Sequence, residues 1–295
     1  MNTQMDLTAF KTLKAVADHA SVTRAADALY CVPSAVTARI RQLESEIGQK
    51  VLIHQNNQMR LTVAGRTLYA YAERAIKIFE DAQKAVSDDS EPRGTLRIGA
   101  TDTAATIYLP PVFARYHETF PDVAIEITST VTSELTAMVK DHSLDCAIIN
   151  TQLDDPDIVC ERVRKERLIL ASARSNKNPY EQDHVTFLAA RAGGAQRKRV
   201  ETWWSQGGYP PMRVIEMPSI GLRVSFAAAG IGVTVLPVLA LDGLANRDTL
   251  RLHDIPEPWS WQETVFISRR DGPGFAALRK FREMLHEAFA AAGSN

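Results

Sequence analysis

The sequence predicts an α/β protein led by an N-terminal winged helix-turn-helix and a linker helix. Three observations predict it: three short helical patterns followed by a hairpin pattern before Thr62, one long helical seam after it, and strands alternating with helices from Thr95 onward. At 295 residues the chain exceeds one domain of roughly 150 residues, so about two are expected. With 45% hydrophobic and 23% charged residues, disorder and fibrous repeats are excluded.

Leu7, Phe10, Leu13 and Val16 recur near the helical period, and Ser21 offers an N-cap before Val22, Ala25, Ala26 and Leu29. A third helix starts near Pro33, where a missing N–H costs nothing, buries Val36, Ile40, Leu43 and Ile47, and stops at Gly48. The turn Tyr30-Cys31-Val32 is short enough to force the steep crossing of a helix-turn-helix. The opposite face of the third helix carries Ser34, Thr37, Ala38 and Arg41. Small residues there let a helix sink into a groove, hydroxyls reach bases or phosphates, and a guanidinium binds guanine edges bidentately. A plain solvated face would have the same composition.

Val51-Leu52-Ile53 and Arg60-Leu61 flank an Asn-rich tip and read as a hairpin, the wing. Thr62 then caps a long helix in which Leu68, Tyr71, Ala75, Ile78 and Ala82 follow at steps of three and four, a coiled-coil seam. That seam needs cover, from a second copy of the chain or from the chain's own body. Through Ile78 there are ten Lys or Arg against six Asp or Glu, so a basic end precedes a mildly acidic remainder, as suits contact with a polyanion on one side.

Ser87–Gly94 is polar and helix-breaking and marks a boundary. After it, strands at Thr95–Gly99, Val123–Ser129, Asp145–Ile149, Leu168–Ala171, Arg213–Met217, Val233–Leu236 and Thr264–Ser268 alternate with helices, which predicts parallel sheets. In such sheets small ligands bind at the carboxyl ends of the strands, where helix N-termini point. Those positions hold Thr101, Asp102, Thr103, Thr130, Thr132, Ser133 and Asn150, with Pro218 and Ser219 at the start of a later helix. Hydroxyls and helix ends suit a carboxylate or another small anion, although Ser and Thr are also ordinary N-caps. Asp102 would repel a plain anion if turned inward, favouring a ligand with both amine and carboxylate; if it caps its own helix, nothing follows.

No nucleophilic triad, glycine-rich phosphate loop or metal-ligand spacing can be placed, so neither an enzyme nor a cofactor or metal is expected. Gly230-Ile231-Gly232 follows a helix rather than a strand, the wrong context for a dinucleotide. The three cysteines lack pairing or ligand spacing and read as reduced thiols. No apolar run approaches the roughly 18 residues of a membrane span, and the N-terminus lacks a signal pattern, so a cytoplasmic protein is expected.

Phe10 with Ala15-Val16, Ser21 to Ala26 with Leu29, Pro33 to Thr37 with Ile40 and Leu43-Glu44, and Arg60-Leu61-Thr62 with Ala64-Gly65 together resemble the LysR-type family of bacterial transcriptional regulators. The later chain follows the family in outline. Two positions depart from its pattern: Val32-Pro33 stands where a polar Ser-Gln is usual, and His54 where an Arg is usual. The resemblance implies a sequence-specific regulator of double-stranded DNA, contacted through Thr23, Arg24, Ser34, Thr37, Ala38, Arg41, His54 and Arg60. It implies residues 1–62 as the DNA-binding domain, 63–92 as linker helix and hinge, and 93–295 as a two-lobed effector domain resembling periplasmic binding proteins. The first lobe would span about 93–167 and 268–295, the second about 168–267, with a small effector, an organic acid or amino acid, between them. It also implies a homodimer that pairs into a homotetramer. The rival is an α/β binding protein or enzyme with an N-terminal assembly domain.

Overall fold

The computed structural model describes residues 5–86, 91–243, 247–272 and 274–291. Two compact units emerge, Met1–Ser87 and Asp88–Asn295. Of the expected boundary segment, Ser87 to Ser90 lies outside the described residues.

In the first unit, α1 (Leu7–His19) begins where the Asp6 carboxylate accepts the Ala9 N–H at 2.8 Å. The Ser21 hydroxyl caps α2 (Val22–Ala28) in the same way, accepting from Arg24 at 3.3 Å. Helix α3 (Pro33–Ile47) has Pro33 in its first turn and ends at Gly48, whose φ of 72° favours glycine. Leu13, Val16, Ala25, Ala26, Val36, Ile40 and Leu43 close one small core with Val51 and Leu52.

The wing is the antiparallel pair β1 (Leu52–Gln55) and β2 (Gln58–Leu61). Asn56 and Asn57 both have positive φ, 49° and 60°, as a two-residue turn matched to the twist of its strands requires. Helix α4 (Val63–Val86) starts at Thr62, whose hydroxyl accepts from the Gly65 N–H at 2.9 Å and donates to the Lys50 carbonyl at 2.7 Å. Lys14 of α1 bonds Tyr69 and Glu73 of α4 at 3.1 and 2.9 Å, and the Tyr69 hydroxyl donates to Asp18 at 2.6 Å. Tyr69, Ala72, Glu73 and Ile76 therefore form the face of α4 turned to α1.

The second unit runs β3 (Gly94–Ala100), a π-helical turn at Ala104–Tyr108, α5 (Leu109–Thr119), β4 (Val123–Ser129), α6 (Thr132–Lys140), β5 (Cys146–Ile149) and β6 (Ile158–Ala173). It continues with β7 (Val185–Ala189), α7 (Ala195–Gln206), β8 (Met212–Glu216), α8 (Ile220–Ala228), β9 (Thr234–Pro237), β10 (Leu250–Asp254), β11 (Trp261–Arg269) and α9 (Ala276–Ala291). Strand β3 pairs in parallel with β4 and β5, and β11 pairs antiparallel with β5 and with β6 up to Arg167. From Leu168 onward β6 exchanges these partners for β9 and β10. One strand thus belongs to two lobes. The first is filled by residues such as Leu96, Ile98, Tyr116, Phe266 and Phe281, the second by Leu170, Phe187, Trp203, Trp204 and Val235.

Three expectations need correction. The pairing is mixed rather than wholly parallel, because β6, β9, β10 and β11 run antiparallel to their neighbours. The strand expected at Leu168–Ala171 is only the inner half of β6, whose outer half is half-buried and rich in charged residues and so carries no apolar run. The return between lobes does not fall near Ser268: the Leu168 N–H donates to the Ser260 carbonyl at 2.7 Å and Trp261 pairs with Arg167. Ser268 lies opposite Cys146 and Val159, well inside the first lobe. The polar start of β11, Trp261-Gln262-Glu263, hid this half of the strand.

Candidate functional site

The first unit offers an open polar face on α3. Ser34, Ala38 and Arg41 are exposed along one side, and Thr37, half-buried between them, donates its hydroxyl to the Pro33 carbonyl at 3.0 Å. Its oxygen keeps acceptor capacity. Thr23 and Arg24 are exposed at the start of α2, His54 on β1 and Arg60 on β2. A bond from the Met59 N–H to the Ala20 carbonyl at 3.0 Å ties the wing to the turn after α1. Two large side chains of the turn before α3 stand exposed at its entrance: Tyr30 is 98% exposed and Val32, which replaces the family's usual polar residue, 60%.

Along α4, Tyr71 is 62% and Ile78 48% exposed, Ala82 is also exposed, and Leu68 and Ala75 are half-buried. Phe79 adds a further exposed ring. Tyr71, Ala75, Ile78 and Ala82 lie off the face turned to α1, and this apolar stripe is largely uncovered in the single chain.

The second unit holds a cavity of about 230 Å³ between its lobes. Thr101, Asp102 and Thr103 line it from the end of β3, Thr130 and Thr132 from the end of β4, Asn150 from the end of β5, and Pro218 and Ser219 from the entrance to α8. The Thr132 hydroxyl donates to Asn150 Oδ1 at 3.2 Å, and Thr130 bonds Glu134. Ser133 does not share this wall. It lines the adjoining groove with Thr136, Leu153 and Gly193, because α6 turns it away from Thr132.

Three arginines missed in the sequence complete the cavity. Arg191 pairs with Glu134 at 3.2 Å, from one lobe to the other. Arg197 bonds Glu201 at 2.8 Å and also Glu216, and these carboxylates hold it charged. Arg223 is 2% exposed; burial pulls its guanidinium below the ordinary value, opposed by the Asp102 carboxylate 3.7 Å away. Asp102 caps neither its own helix nor open space. Its Oδ2 accepts the N–H of Ile220, at the start of α8 in the other lobe, at 2.6 Å.

Behind the cavity, the π-helical turn that follows Thr103 places the Tyr108 hydroxyl on the buried Glu166 carboxylate. Gln262 and Thr264 each donate to Glu166 at 2.7 Å, beside the point where β6 and β11 pass between the lobes. Burial and then the Glu166 charge push the Tyr108 hydroxyl far above its ordinary range. Trp203 and Trp204 pack with Tyr180 and Tyr209 inside the second lobe and do not wall the cavity. Among the described residues, no group of three or more His, Cys, Asp or Glu is arranged to hold a metal, and no helix is long and apolar enough to cross a membrane.

A helix-turn-helix with a wing, followed by a two-lobed α/β unit with a cavity at its strand ends, defines the class of ligand-responsive DNA-binding regulators. The chain belongs to the LysR family: residues 7–66 match the bacterial regulatory helix-turn-helix protein, lysR family, and residues 89–290 the LysR substrate binding domain. It is 30% identical over 283 residues to the HTH-type transcriptional regulator CzcR of Bacillus anthracis, covering 96% of this chain and 98% of the relative. It is 32% identical over 273 residues to the uncharacterized HTH-type transcriptional regulator YusT of Bacillus subtilis, covering 92% of each. Among solved structures, a full-length OxyR variant from Pseudomonas aeruginosa matches with TM-score 0.68 and 19% identity, covering 97% of this chain and 98% of the other. Full-length CbnR in complex with its target DNA matches with TM-score 0.67 and 18% identity, covering 96% and 100%. The protein is a LysR-family transcriptional regulator with a helix-turn-helix and an effector-binding domain.

Proposed function

We propose that α3 enters the major groove of operator DNA, with Arg41, Ser34, Thr37 and Ala38 on base edges and Thr23, Arg24, His54 and Arg60 on or near phosphates. The exposed polar stripe of α3, backed by the core that fixes its angle, carries this reading. CbnR, which shares the fold, is solved with its target DNA, in keeping with the same mode. The wing is poor in basic residues, so the salt-dependent phosphate contacts rest on Arg24, Arg60 and the neighbouring hydroxyls.

The effector is a small organic acid or amino acid held between the lobes by Thr101, Thr130, Thr132 and Asn150. The domains follow as 1–62, 63–92 and 93–295, with the second lobe taken as 168–260 in line with the pairing of Trp261 and Arg167. The exposed stripe of α4 pairs two chains into a homodimer, and dimers pair into a tetramer. The protein acts in the cytoplasm by binding and not by catalysis. Effector and DNA affinities are then linked reciprocally.

The test is a salt-dependent gel shift on the DNA flanking the protein's own gene, with and without metabolites selected by thermal shift. Specific retention altered by a selected metabolite is expected. A ligand that binds between the lobes and leaves both DNA affinity and subunit arrangement unchanged would overturn the regulatory reading.

A further inference from the structure

Asp102 follows β3 in the first lobe, yet the amide and the guanidinium it meets, those of Ile220 and Arg223, belong to the second. Its Oδ2 takes the Ile220 N–H at 2.6 Å and lies 3.7 Å from Arg223, while Ser219 Oγ accepts the next amide, that of Gly221, at 3.2 Å. Among the described residues no other carboxylate pairs with the buried Arg223. A helix-start amide beside a desolvated guanidinium is the donor set that holds a free carboxylate.

We infer that Asp102 is the built-in occupant of an anion subsite formed by the start of α8 and Arg223, and thereby determines which part of the cavity an effector's acid group can use. This rests on the reading of the cavity as the effector site. With Asp102 in place, a second carboxylate at α8 would meet a like charge and no available Ile220 amide. The acid group is directed instead to the starts of α6 and α7, which border the same cavity, have no side-chain cap, and lie beside Arg197. The Asp102 bond also spans the lobes, so a ligand that displaces it changes what holds them together.

The experiment is chemical rescue in the full-length protein. Thermal unfolding of wild type and Asp102→Ala is followed against sodium acetate, with sodium chloride at matched ionic strength as control. The variant is expected to melt lower than wild type and to regain stability saturably with acetate. Its acetate affinity should exceed that of wild type by about tenfold or more, the scale of one charge-assisted hydrogen bond. An equal response in both proteins, or none in the variant, overturns the inference.

Should Asp102→Ala not fold, Asp102→Gly leaves the Ile220 amide and Arg223 equally open and carries the same expectation. Asp102→Asn fills the subsite without charge and should show no rescue; rescue equal to that of the alanine variant would place acetate elsewhere. The cavity reading fails on different data: a regulatory metabolite whose affinity is unchanged in both Thr132→Val and Asn150→Ala would remove it, whatever acetate does at Asp102.

Discussion

The carboxylate of Glu44 accepts the backbone N–H of Val51 at 3.0 Å, fastening α3 to the strand that begins the wing. The same oxygen accepts from Leu52 at 3.3 Å, and the other pairs with Lys50 at 2.6 Å. Burial works to raise the pKa of Glu44, but Lys50 and the two amides outweigh it and hold the group below the usual carboxylate value. A folded value lowered in this way means that Glu44 stabilises fully above its unfolded pKa of about 4.3, and that this contribution fades as pH falls through the folded value. Glu44→Ala should cost about 2–3 kcal/mol near neutral pH, since two buried amides lose their acceptor. Denaturant melts at pH 7 and at a pH below about 4 should show the gap narrowing; a gap independent of pH would remove the charge from the explanation.

Gly65→Ala should destabilise the first unit even though alanine is the better helix former by about 1 kcal/mol. A Cβ built at Gly65 would lie 1.9 Å from the Val51 carbonyl oxygen, which itself accepts the Thr62 N–H at 3.0 Å. Backbone cannot yield as a flexible side chain can, so a net loss of about 2 kcal/mol or more is expected. An unchanged or raised melting temperature would contradict the close approach.

Arg41→Ala should weaken binding to the operator by roughly 1–3 kcal/mol and relax preference at one base pair, with little effect on folding because the side chain is exposed. Equal loss on every sequence, with a shallower salt dependence, would make Arg41 a phosphate contact.

Tyr71→Asp combined with Ile78→Asp should dissociate the proposed dimer, since each puts a charge into the apolar stripe of α4 while leaving the face against α1 intact. Sedimentation velocity should show monomers with undiminished helical signal. A persistent dimer would assign the pairing to another surface.

Glu166→Gln should destabilise the second unit by about 1–3 kcal/mol. The carboxylate accepts from Tyr108, Gln262 and Thr264, and an amide nitrogen in place of one oxygen would face a donor. Thermal melts check it, and no change would show that the network rearranges around the amide.

The three helices of the first unit were legible because each buries one stripe at the helical period and carries local start and stop signals: Ser21 at a cap, Pro33 in a first turn, Gly48 at a left-handed end. The strand-end hydroxyls were legible for the same reason, as a strand followed by a helix dictates where its connecting residues lie. Thr101, Thr132 and Asn150 face one cavity because β3, β4 and β5 are parallel neighbours.

What the linear pattern determined is therefore the class of each element and the end of the sheet that carries the site. Tertiary structure alone decided which charges meet there. Arg191 and Arg197 sit on segments whose local pattern reads as an ordinary solvated surface, Arg223 is a lone charge inside the apolar run of α8, and Asp102 is far in sequence from the helix it caps. Likewise, the outer half of β6 and the polar start of β11 lack a hydrophobic period of their own, and pairing with each other makes them strands. Local periodicity encodes burial of one face; it does not encode the partner across a cleft, since a charge and its counter-charge need share no spacing along the chain.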